Sequence, residues 1–206
     1  FFVGGTATLA ANSGAPQSGT WTVVSGDGNG VFGDASSNTS SFAGTAGQSY
    51  VLRWTLSGGS CATTSDEVEV SFAGPTTLAT GDIAFTGYNA DNPDEWSFVF
   101  LTDVGTSTFI TFTDNGWLSS GGFRTGEGAV GVSLFRNYPC GSELYVSETG
   151  TNTFQVFDAD GNEAGLATVV GGSAIQLAIG AGDQLFAYQG NVATPTLLAG
   201  IQMNGD

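Results

Sequence analysis

The segment Asn89-Ala90-Asp91-Asn92-Pro93-Asp94-Glu95 sets three carboxylates and two amides in seven positions, the hard oxygen ligands that calcium prefers. Asp91, Asp94 and Glu95 are the candidate metal ligands, with Asp82 or Asp103 as further donors from flanking strands. The same residue types also make turns by bonding local amides, and the sequence leaves both readings open. Asp158-Ala159-Asp160-Gly161-Asn162-Glu163 begins like a calcium loop, but its twelfth position is Val169 where a bidentate Glu is needed. Asp160-Gly161 there reads as a hairpin turn. Calcium is the only ion these patterns suggest, and no motif demands another cofactor.

Catalytic chemistry is narrowed by inventory. The chain contains no His, and its three basic residues are all arginines, Arg53, Arg124 and Arg136. A Ser or Cys nucleophile therefore has no His or Lys to activate it. Carboxylate pairs alone remain, from a pool of Asp94, Glu95, Asp103, Asp114 and Glu127, as glycosidases use. No spacing sets two of them across a cleft, so the expectation is a protein that is not an enzyme. Arg124 is expected to pair with Asp114 or Glu127. Trp96 and Trp117 are candidate glycan-binding platforms, although large aromatics in strands more often fill a core. Asn38-Thr39-Ser40 matches a three-residue glycosylation acceptor.

With 19 acids against three arginines, the net charge is −16. Nucleic-acid binding needs Lys and Arg to displace counterions, so that class of partner is excluded. No apolar run approaches the ~20 residues that span a bilayer, so membrane insertion is not expected. Cys61 and Cys140 show no CxxC spacing, and the two fall in different halves of the chain, which makes a bond between them unexpected.

What must position these residues is an all-β framework. Helical periodicity is missing, and short alternating runs rich in Val, Thr, Phe, Tyr and Trp recur between Gly, Asn, Asp and Ser clusters. The first part predicts strands near Thr6–Ala10, Thr20–Val24, Thr39–Ala43, Ser49–Ser57 and Glu67–Phe72, with Tyr50, Leu52 and Trp54 on one face. Gly74-Pro75-Thr76-Thr77 breaks the pattern and marks a boundary, giving domains 1–74 and 75–206. The second part predicts strands near Asp82–Gly87, Trp96–Leu101, Thr108–Thr113, Val130–Phe135, Glu143–Val146, Thr153–Phe157, Ala174–Ile179, Gln184–Tyr188 and Thr196–Met203. Two tandem immunoglobulin-like β-sandwiches are the expected fold. Five of the acids lie in residues 1–74 and 14 in the remainder, which makes the second domain the expected cation binder.

Two stretches carry a resemblance. GTWTVVSGDG, SSFAGTAGQSYVLRWTLSGGSC and TSDEVEVSF, within residues 5–73, resemble the PKD-like and immunoglobulin-like repeats of secreted surface proteins of Bacteroidota. GDIAFTGYNADNPDEWSFVFLTD, ITFTDNGW, GGFRTGEG and GDQLFAYQG, within residues 81–190, resemble a second extracellular module of such proteins, often found among adhesion repeats. The resemblance implies export by a type IX-like route, an extracellular or cell-surface location, and a structural or adhesive role. It carries no catalytic motif. In such modules more chain usually follows the FAYQG segment, so truncation near Asp206 is expected.

The functional expectation is a unit of a bacterial surface fibre or filament, assembled through contacts with neighbouring copies or adjoining repeats. The apolar triplet Phe1-Phe2-Val3 is its candidate assembly element, adding as a strand to a neighbour's sheet edge. The alternative is a calcium-dependent module that binds surface glycans.

Overall fold

The computed structural model describes residues 4–59, 62–178 and 182–203, and every regular element among them is a β-strand. The chain divides into two compact units, Phe1–Gly74 and Pro75–Asp206.

The first unit contains β1 (Gly4–Thr8), β2 (Ser18–Ser25), β3 (Val31–Phe32), β4 (Ser41–Thr45), β5 (Ser49–Ser57) and β6 (Thr64–Ser71). They form two antiparallel three-stranded sheets, in the orders β1-β4-β3 and β2-β5-β6. Period-two alternation places Tyr50, Leu52 and Trp54 on the buried face of β5, and they join Leu9, Trp21, Phe42 and Phe72 in one core. Aromatic edges and faces supply much of that packing: Trp21 meets Trp54 at 5.1 Å, and Phe42 meets Tyr50 edge-on at the same distance. The Tyr50 hydroxyl donates to Asp27 at 2.6 Å and accepts from the Thr45 amide at 2.9 Å, which ties the β2–β3 loop to the core. Bonds from Thr45, Tyr50 and Asn29, in that order, hold the Asp27 carboxyl well below the usual range.

On the opposite face Arg53 pairs with Glu67 directly across the β5–β6 ladder, Nη2 to Oε1 2.5 Å, with both side chains nearly half exposed. Solvent screens that pair, so Arg53→Ala is expected to change stability by less than about 1 kcal/mol in urea unfolding. A larger loss would mean that the Arg53 stem packs on the sheet.

The second unit contains β7 (Ile83–Asn89), β8 (Glu95–Phe100), β9 (Phe109–Thr113), β10 (Ala129–Leu134), β11 (Glu143–Gly150), β12 (Thr153–Asp158), β13 (Glu163–Val169), β14 (Asp183–Asn191) and β15 (Thr194–Met203). Where the sequence leads one to expect two facing sheets, hydrogen bonds run through a single nine-stranded antiparallel sheet, in the order β15-β14-β9-β10-β13-β12-β11-β8-β7. It curls until its two edges nearly meet: the Gly81 amide donates to the Leu198 carbonyl at 2.9 Å and the Thr80 hydroxyl to the Leu197 carbonyl at 2.6 Å. The inward rows of Trp96, Phe98 and Phe100, of Ile110 and Phe112, and of Val130, Val132 and Leu134 fill the interior. β13 is absent from the sequence-based expectation because Glu-Ala-Gly-Leu-Ala-Thr-Val is poor in strand formers. Of the expected strand Ala174–Ile179, the described residues Ala174–Ala178 make no ladder and run as a strap whose Ile175 and Leu177 are buried in the core.

Candidate functional site

The acidic turn between β7 and β8 is built by Asn89. Its Oδ1 accepts from the Asp91 amide at 3.0 Å, and its Nδ2 donates to the carbonyls of Asp91 at 3.0 Å and Pro93 at 3.3 Å. The three candidate calcium ligands then diverge. Asp91 stays exposed, Asp94 turns inward and is 9% exposed, and Glu95 begins β8. Among the described residues no three His, Cys, Asp or Glu side chains form a group that could hold a metal ion. The three candidate ligands Asp91, Asp94 and Glu95 are thus not gathered into one group: Asn89 makes the turn, and the Asp94 carboxylate accepts from the Leu177 amide. Asp82 caps its own turn by accepting from the Ala79 amide, and Asp103 accepts from the Cys140 amide.

Asp94 belongs to a different constellation, missed in the sequence because its members are far apart in the chain. Three consecutive strap amides each donate to a different carboxylate: Gln176 to Asp114 Oδ2 at 2.9 Å, Leu177 to Asp94 Oδ2 at 2.9 Å, and Ala178 to Asp183 Oδ2 at 3.0 Å. Asp114, 3% exposed, also accepts from the Gly128 amide at 2.5 Å. Burial is the main cause that pushes the Asp114 carboxyl up to about 6, against the bonds from the amides of Gln176, Gly128 and Asp114 itself, which oppose the shift. The Asp94 carboxyl is raised for the same reason, with Glu148 and Asp183 adding repulsion. The clasp seals the strap over the core, which is structural chemistry.

Among the described residues of the second unit, two concavities lie over the sheet, and a smaller one of about 300 Å³ lies by Asp91, Ala178 and Met203. The larger, about 570 Å³, lies over β7, β8 and β11 and is lined by Tyr88, Asn89, Glu95, Ser97, Glu143 and Tyr145. Its two carboxylates sit on neighbouring strands, with Glu95 opposite Ser147 and Glu143 opposite Val99. That register offsets their Cα atoms by four residues, roughly 13 Å along the sheet. Trp96 is completely buried, so its assignment as an exposed glycan platform is corrected: it sits on the inward row of β8, against Phe112 and Phe154.

The second concavity, about 370 Å³, lies over β9, β10 and β14, with Phe109, Tyr188 and Val192 on its apolar side and Asn115, Arg124 and Glu127 on its polar side. Beside it Trp117 is 38% exposed and meets Phe123 edge-on at 5.0 Å, and Phe123 in turn packs on Tyr188 at 5.2 Å. Arg124 pairs with Glu127 at 3.3 Å, not with Asp114.

Other sequence candidates resolve more simply. Asp158 builds the turn between β12 and β13 by accepting from the Asp160 and Asn162 amides, and it pairs with Arg136. Asn38 donates its side-chain amide to the Ala11 carbonyl at 2.8 Å, which engages the nitrogen a glycan would need. Phe1, Phe2 and Val3, the candidate assembly segment, lie outside the described residues, as does Cys61.

Comparison with known proteins finds no counterpart: no family model matches the chain, and no curated protein or solved structure matches it.

Proposed function

We propose that the chain is a non-catalytic, extracellular structural and adhesive unit, whose first domain is an immunoglobulin-like sandwich and which assembles through contacts between copies. The observation that carries this reading is the contrast between the two units' strand edges. The second unit's curled sheet joins its own edges through Thr80 and Gly81, whereas in the first unit β1, β3 and β6 are edge strands with no further partner among the described residues, and the β2 edge has the single bond from the Trp21 amide to the Ala35 carbonyl. Unpaired edges are templates for association. The resemblance to PKD-like surface repeats and the lysine-free, acidic composition fit a location outside the cell. The lack of His and Lys favours a role without catalysis.

Sedimentation velocity and particle imaging of the purified 206-residue chain test this. Concentration-dependent association, ending in ordered filaments, is the expected result. A monodisperse monomer at every accessible concentration would refute it.

The concavity beside Trp117 favours a second reading, adhesion to surface glycans, because aromatic faces and paired polar groups converge on one open site. In that case a glycan array shows binding that Trp117→Ala removes, with or without a calcium chelator.

A further inference from the structure

The two sheets of the first unit do not close along one side. A slot of about 360 Å³ opens there, lined by Ala7 and Thr8 of β1, by Leu9 to Asn12 beyond it, and by Asp66 to Val68 and Val70 of β6. β1 and β6 are each the last strand of their sheet, so the slot is flanked by two strand edges with no partner among the described residues. Val68 faces it from β6 opposite Leu52 and remains 41% exposed, although that face of the sheet supplies the core. Trp54 in its wall is more than nine-tenths buried, and its indole Nε1–H has no acceptor; Trp21 beside it donates to the Ser37 carbonyl at 3.0 Å.

We infer that this slot is an acceptor for a β-strand, and that its occupant is the Phe1-Phe2-Val3 segment of a second copy. The inference rests on the assembly reading above and names its interface. Only an extended chain can satisfy unpaired strand edges while burying side chains on alternate positions. Phe1 and Val3 share one face of such a strand and are apolar, as Leu9, Val68 and Val70 require. Charge selects in the same direction: Asp66 shares the slot face with Trp54 and Val68, while Glu67 is turned to Arg53 on the other face, and residues 1–26 carry no acid, so this segment approaches without like-charge repulsion. The same copy's β1 cannot turn back to supply the strand. Gly4 and Gly5 are held in the ladder opposite Thr45 and Gly44, at the end of β1 away from Ala7 and Thr8.

A chain lacking residues 1–3, a Val68→Lys variant of the 206-residue chain, and a synthetic peptide of residues 1–8 test the inference together. The deletion is expected to weaken self-association at least tenfold in sedimentation velocity with an unchanged thermal melt. The peptide is expected to bind the deleted chain and to move the Trp54 indole resonance. Adding Val68→Lys should abolish that binding at least tenfold while the circular dichroism stays native. Association that persists undiminished in both variants overturns the slot and leaves the assembly reading standing; a parent chain that never associates overturns that reading itself. A deletion that melts the first unit shows that residues 1–3 serve their own domain, and equal binding of a scrambled peptide shows that they are not the specific occupant. Either result overturns the inference.

Discussion

Gly128→Ala is expected to destabilise the second unit by about 3 kcal/mol or more. A Cβ at this position would collide with the carbonyl group of Ala174 and the amide of Ile175, all backbone atoms of the strap. Neither side can give way. Gly128 donates to the buried Asp114 carboxylate, and its carbonyl accepts from the Thr113 hydroxyl at 2.6 Å and from the Asn115 side chain at 3.2 Å. The strap is pinned in turn by its three aspartate bonds and by Ile175, which is 1% exposed. Moving it to admit a methyl group would lift Ile175 and Leu177 out of the core, at a cost of about 1.5–3 kcal/mol for each side chain fully lost. Urea unfolding followed through the second unit's far-ultraviolet signal reads the change. A loss below 1 kcal/mol would mean that the strap is a loose cover.

That strap also shows how much of the molecule could be read from its residues. Ser49–Ser57 was legible to the residue, because Tyr50, Leu52 and Trp54 alternate with polar neighbours and the pattern is the cause of the strand. Ala174–Ile179 has the same look, yet the residues described from it form no ladder. What decides the matter is three carboxylates from Asp94, Asp114 and Asp183, which take its amides before another strand can; Asp183 is five residues away, but local pattern contains no trace of Asp114 and Asp94, 62 and 83 residues from the amides they accept. The acidic turn splits its carboxylates for a related reason. Asp91, Asp94 and Glu95 are adjacent in the chain, but side chains on successive extended residues point to opposite faces, so Asp94 enters the core while Glu95 looks outward. Trp96 follows the same alternation, which was available from the sequence once β8 was placed. The curl of the second sheet was not available, because closure depends on strand order, and order is a property of pairings that no single strand encodes.

The second large effect is a pH dependence, and its sign is opposite to that of most native carboxylates. Asp114 has an ordinary value of 3.8 and is pushed up to about 6 in the folded chain, chiefly by burial. Between those values the native state holds a proton that the unfolded state has released. Stability from this group is therefore fully present below about pH 4 and is lost as pH rises towards 6. A shift of about two units corresponds to roughly 3 kcal/mol. Asp27 and Asp158 act the other way, since both are held below the usual range and their contribution is lost as pH falls below about 4. Comparing the parent with Asp114→Asn removes them, because they titrate alike in both proteins. The Asn carbonyl oxygen can accept from only one of the Gly128 and Gln176 groups that the carboxylate serves, which adds a constant penalty at every pH. On that offset, the parent's advantage over Asp114→Asn is expected to shrink by about 3 kcal/mol between pH 4 and pH 7, and urea unfolding at four or five pH values measures it. Parallel stability profiles would show that the buried carboxylate stays ionised throughout, held by its two amides against the cost of burial.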